Sequence, residues 1–405
     1  MQKLHKEIGN IIEDNDHLTI SKVADFIGCD RQELSNFIND GGISFRKLLR
    51  LSFILFPKNQ QEVMSSWCLR LNTTESIKQS FEYASVTRNI ELLRELIEKY
   101  RGEKDIMGKY VSVYSILYDF YTNEIGAKDL IWRLEKVGQL KGELAILANI
   151  IKCYNYYYVE KYHLMLETGK EAEASINKFG ERRLFIKECY LHRIAEVLGH
   201  VSLHLNDIDS ARYYATRIIS ADMCAKTVAG ATYILGMTYL PEDEVKSINY
   251  LQARYEISKT LGEKDIEENA RRDLDFAKLY LNVQLDADSD PILQRLQSNK
   301  GSEFELKLIK EAIFKQGEED ILVLLGAIAR NTTEKLHECR KSFFKQSNYF
   351  FASLAAREIR KLGDRSEMLE EFIDFKIETK GDVEFEENFI RCFARIDNSY
   401  KSNSA

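Results

Sequence analysis

"HRIAEVLGHVSLHLNDIDSARYYATRII" (residues 192–219) is the stretch that decides the fold. A related stretch, "GATYILGMTYLPEDEVKSINYLQARYEI", follows at 230–257. Both carry Leu-Gly in the first helix, Leu198–Gly199 and Leu235–Gly236, a step of 37 residues. That step is close to the roughly 34 residues of a tetratricopeptide repeat. Ala211 falls 12 residues after Gly199, and Tyr239 falls three after Gly236. Those are the places where such a repeat puts its small second-helix residue and its aromatic. Small residues let the two helices of a hairpin approach, and large ones fill the gap to the next hairpin.

Working outward, the pattern from Met64 onward is one amphipathic helix after another, without strand alternation or Asn-Gly turns. Weaker copies of the repeat are read at 81–100, 115–137 and 342–363. Only three prolines, Pro57, Pro241 and Pro291, interrupt 405 residues. Proline breaks helix interiors, so this scarcity supports an all-α chain. "DADSDP" (286–291) is expected to be a loop between two halves of the array. The expected fold is an N-terminal helix-turn-helix followed by a tetratricopeptide-like, right-handed superhelical array. The expected domains are 1–56, 57–380 and 381–405. The last holds an amphipathic stretch at 383–396, with Phe385, Phe389, Ile390, Phe393 and Ile396, and a disordered tail. That stretch caps the array or pairs with a second subunit. The concave inner face, lined by the first helices, suits an extended peptide or a partner helix.

The head is read from "VADFIGCDRQELSNFIND" (23–40). Two helices crossing steeply need a small residue at the contact and a permissive residue at the turn. Ala24 and Gly28 fill those places. Val23 and Ile27 face inward on one helix, Leu34 and Phe37 on the next, and Asp30 with Glu33 forms a capping-box pattern. The second helix then presents Arg31, Gln32, Ser35, Asn36 and Asn39 outward. Arg can make two hydrogen bonds to guanine, and Gln or Asn two to adenine. Arg46, Lys47 and Arg50 follow as candidates for phosphate. Residues 1–56 hold seven Lys/Arg and eight Asp/Glu, so one copy is not basic enough for tight binding. Affinity is expected from two copies. The net charge of −7 also argues against non-specific affinity for nucleic acid.

Seven scattered cysteines form no CxxC pair, which suits a reducing cytosol. No run approaches the roughly 18 apolar residues of a membrane helix, and the N-terminus lacks signal-peptide character. There is no Gly-rich phosphate loop, HExxH or GxSxG, so neither an enzyme nor a cofactor is expected. His200 and His204 share one helix face. They can face the groove as hydrogen-bonding groups or lie on a polar surface. A metal would need a third ligand that the nearby sequence lacks. "CYNYYYVEKYH" (153–163) is read as packing between hairpins, and "GEKDIEENARRD" (262–273) as a solvated helix face with i, i+4 pairs.

The head joined to an array of this length resembles the peptide-responsive regulators of Gram-positive bacteria. It is most similar to the arbitrium receptors of Bacillus phages, the AimR family. The likeness rests on the helix-turn-helix, on "WCLRL" followed by "SFEYA" within 51–84, and on "SFFKQSN" at 342–348. The resemblance implies a cytoplasmic homodimer on an operator of two separated half-sites. It also implies a short secreted signalling peptide, with an arginine near its C-terminus, bound inside the superhelix. In that family the peptide abolishes activation of a gene that promotes lysis. The sequence departs from the family pattern at its peptide-binding positions. His200 and His204 stand in place of asparagines, Lys226 in place of an arginine, and Tyr349 where an acid is expected. Met237 and Leu240 are expected as apolar wall of the groove. Two other readings stand beside this one: a repeat module that inhibits a partner protein, and a host or plasmid regulator of the same architecture.

Overall fold

The computed structural model describes residues 3–379 apart from 181, 182 and 318, and every regular element among them is helical. The stretch 383–396 and the tail lie outside the described residues.

The head consists of α1 (Leu4–Glu13), α2 (Ile20–Ile27), α3 (Arg31–Asp40) and α4 (Phe45–Leu55). Gly28 ends α2 in the left-handed region at φ 72°, where a side chain would be strained. The Asp30 carboxylate then accepts the Glu33 amide and opens α3. Only half of the expected capping box forms, because the Glu33 carboxylate turns to the ammonium of Lys47. Val23, Ala24, Ile27, Leu34 and Phe37 are buried as expected. Ile8 and Ile12 of α1 complete this core.

α5 (Gln60–Arg70) leads into the array. Its hairpins are α6 (Thr74–Val86) with α7 (Ile90–Lys99), α8 (Asp105–Tyr121) with α9 (Leu130–Val137), and α10 (Glu143–Tyr158) with α11 (Tyr162–Ile176). Next come α12 (Leu184–His204) with α13 (Ile208–Ala221), and α14 (Ala225–Tyr239) with α15 (Glu244–Leu261). α16 (Lys264–Leu281), α17 (Pro291–Ser298), α18 (Glu305–Gln316), α19 (Asp320–Ala329), α20 (Thr333–Lys345), α21 (Tyr349–Lys361) and α22 (Glu367–Asp374) complete the described chain. The repeat logic of the sequence holds at both glycines. A Cβ on Gly199 would stand 3.1 Å from Ile234 Cδ1, and one on Gly236 only 2.6 Å from Leu251 Cγ. The segment 286–290 is a loop, and Asp290 caps α17 just ahead of Pro291.

The array coils around α12, which touches α6 on one side and α21 on the other. A buried ion pair joins α12 to α6: Arg193 Nε lies 2.8 Å from Glu82 Oε1. An extended segment after α22 closes the other side. The Ile377 amide donates to the Leu205 carbonyl at 3.1 Å, and the Thr379 amide to Asp207 at 2.7 Å. Three distant parts of the chain therefore meet on one helix.

Candidate functional site

The first helices of successive hairpins do line a concave cavity, of about 630 Å³. Phe120 and Tyr121 come from α8, and Tyr154, Tyr157 and Tyr158 from α10. Glu196 and His200 come from α12, and Lys226 from α14. Arg88, at the α6–α7 turn, lies over the Tyr121 ring at 3.9 Å and 3.7 Å from Glu196. The Tyr154 hydroxyl donates to Glu196 at 3.4 Å. Such a floor offers aromatic surface with fixed donors and acceptors, the combination that orients a small ligand.

The histidines sit in an aromatic cluster. His200 and His204 lie 5.2 and 5.7 Å from the Tyr157 ring, and His204 stacks on Tyr162 at 4.2 Å. Burial lowers the His200 imidazole to about 4 and that of His204 to about 3. Both are neutral near pH 7; His200 lines the groove, whereas His204, expected beside it, lies against Tyr157 and Tyr162 and is not among the lining residues. Nδ1 of His200 is buried without a hydrogen-bond partner among the described residues. Among those residues no group of His, Cys, Asp and Glu is arranged to hold a metal.

His192, deeper on α12, is likewise lowered to about 4 by burial. A folded value below the unfolded one means that the unfolded chain binds more protons in acid. Stability should therefore fall as pH drops from about 6.5 towards about 4, and stay level with respect to these groups above that window. Thermal unfolding across this range checks it. His192→Gln should flatten the acid side of the curve.

Lys226 lines the cavity but is paired with Glu263 at 2.7 Å. Two expectations are corrected. Met237 and Leu240 are buried at 4% and 2% exposure and do not line this cavity. Tyr349 does not reach this cavity: it is buried against Phe344 and Phe375, 3.1 Å from His163 Nε2.

The sequence reading also missed wall residues. Glu263, Lys264, Asp265, Ile266 and Asn269, taken as a solvated face, line the cavity. The tyrosines of 153–163, taken as packing, divide their surface between packing and the groove. Arg88 and Glu196 had no local signal, since each gains its role from a neighbour brought in by the coil.

In the head, Arg31, Gln32, Asn36 and Asn39 are exposed along α3 and Ser35 is half-buried. Gln32 Nε2 donates to Asn36 Oδ1 at 2.8 Å, pre-ordering the outward face. Arg46 and Lys47 do not stand open in this structure. Arg46 Nε lies 3.3 Å from Glu188 Oε2 on α12, and Lys47 is bound to Glu33. Arg50 donates to the Ile27 carbonyl at 2.9 Å, bracing the end of α2.

A helical head carried on a coiled array with a polar, aromatic groove defines a helical-repeat protein with a ligand-sized cavity. The model of the AimR transcriptional regulator-like family matches residues 60–361, and the chain belongs to that family. Two solved structures share the fold. One, selenomethionine phAimR, has a TM-score of 0.66 at 20% identity, covering 92% of this chain and 100% of that one. The other, phAimR with a ligand, has a TM-score of 0.61 at 19% identity, covering 80% and 98%. No curated protein sequence matches.

Proposed function

We propose that this protein is a DNA-binding transcriptional regulator controlled by a short signalling peptide held in the groove. Residues 1–56 serve as the DNA-binding head, 57–380 as the sensor, and 381–405 as cap or dimer contact. The protein works as a cytoplasmic homodimer, and its peptide controls a choice of the lysis–lysogeny kind. No helix among the described residues is long and apolar enough to cross a membrane.

The observation that carries the reading is the groove on the first helices, with a buried His200 nitrogen that has no partner among the described residues. A peptide backbone supplies the amides and carbonyls that such groups need. The ligand-bound phAimR structure supports the same use of the fold. DNA recognition rests on the exposed Arg, Gln and Asn side chains of α3.

To test the peptide reading, overlapping synthetic peptides covering the small secreted reading frame that this reading requires beside the gene are titrated against the full chain. One of them should bind saturably. His200→Trp, which fills the groove, should weaken that peptide by about tenfold or more, roughly 1.4 kcal/mol. Binding that is equally tight in the variant would place the ligand elsewhere. If no peptide from that frame binds, the reading fails.

A further inference from the structure

Glu188, His192, Glu196, His200 and His204 follow one another at four-residue steps along α12. On a helix of 3.6 residues per turn, such steps form one slowly winding ridge. The ridge starts at the head, passes the groove at Glu196 and His200, and ends in the aromatic cluster.

Its first member meets the head directly. The Glu188 side chain is 2% exposed and lies 3.3 Å from Arg46 Nε. One turn of α12 earlier, Phe185 packs on Phe45 with ring centres 4.6 Å apart. Arg46 also lines a cleft of about 110 Å³ at the turn before α3, together with Gly28, Ser44, Lys47 and Arg50. Lys47 and Arg50 are engaged by groups within the head. Arg46 is paired with an acid of the array.

We propose that Glu188 is an internal competitor for the phosphate that Arg46 would otherwise contact. The array's carboxylate holds the guanidinium in this state, and a shift of α12 releases it to DNA. This rests on the DNA-binding reading above. Groove and latch share one continuous helix, so a displacement at Glu196 or His200 reaches Glu188 without an intervening loop. Removing Arg46 from a buried carboxylate is costly unless Glu188 moves as well. The latch therefore opens with a movement of α12 and not by side-chain rotation alone. Groove occupancy would then change the number of phosphate contacts.

The test is the salt dependence of full-length protein binding to a random-sequence duplex of about 30 base pairs, at about 50–200 mM salt. Each phosphate contact steepens the plot of log affinity against log salt by about 0.9. Glu188→Gln should steepen it by that amount per protomer and tighten binding at the lowest salt. Arg46→Met with Glu188→Gln should return the slope to the wild-type value. Arg46→Met alone should leave that value unchanged, which covers the case where Glu188→Gln does not fold. A folded Glu188→Gln protein with a wild-type slope overturns the proposal. So does a double variant as steep as Glu188→Gln, or a shallower slope in Arg46→Met. Wild-type protein that enriches no sequence from a randomised duplex pool overturns the DNA-binding reading itself, and the latch with it.

Discussion

Arg193→Met should lower the stability of the whole chain by about 3–5 kcal/mol, the cost of stranding one member of a buried ion pair. Arg193 and Glu82 are 1% and 0% exposed. The guanidinium also reaches the Tyr121 hydroxyl at 3.0 Å and Ser85 Oγ at 2.9 Å, and the Tyr114 hydroxyl donates to Glu82 at 2.7 Å. Burial opposes the charge on Arg193, but Glu82 holds it protonated well above its ordinary range. With Arg193 gone, Glu82 must stay charged without its partner or take up a proton. Replacing both together, as in Arg193→Met with Glu82→Leu, should recover part of the loss, because no buried charge remains although the Tyr114 hydroxyl loses its acceptor. Urea unfolding monitored by circular dichroism separates these cases. A loss under about 1 kcal/mol in the single variant would mean that water reaches the pair. The pair also bears on function, since Tyr121 belongs to the groove wall. A destabilised variant should therefore bind its peptide more weakly even when folded.

The second large effect is expected in the head. Arg31→Ala with Asn36→Ala should remove most of the affinity for a specific site while leaving the fold intact. Both side chains are exposed, and neither belongs to the core of Val23, Ile27, Leu34 and Phe37. Each two-bond contact to a base is worth about 1–3 kcal/mol of discrimination. The pair together should cost about two to six kcal/mol for a cognate duplex. Binding to random duplex should change far less, because phosphate contacts carry it. Competition between the two duplexes measures the difference. An equal loss on both would mean that α3 contributes charge rather than sequence reading.

Much of this architecture was legible before any coordinates. Gly28, Asp30, Gly199 and Gly236 act locally: a turn, a cap and two close helix contacts depend on residues a few positions away. The groove was less legible for a physical reason. A coiled array builds its inner face from residues that are distant in sequence, so Arg88 meets Glu196, and Arg193 meets Glu82, with no pattern linking them. The charged stretch 262–273 has the composition of a solvated face. Part of it nonetheless lines the cavity, because a concave surface is itself wet. Met237 and Leu240 went the other way. Helix α14 is apolar on more than one side, and composition alone does not say which side meets its partner. The contact between Arg46 and Glu188 lies between head and array, where neither repeat spacing nor the helix-turn-helix pattern makes a statement.

In the proposed regulator α3 reads duplex DNA, and the groove behind it governs this reading. The most direct measurement is selection of a randomised duplex pool by the full-length protein, with and without a saturating amount of the peptide found to bind the groove. The pool should become enriched in two half-sites whose centres lie about 34 Å, or a multiple of it, apart. That enrichment should collapse when the peptide is present. A pool that shows no paired half-sites, or the same paired half-sites whether or not the groove is filled, would contradict these roles for α3 and the groove.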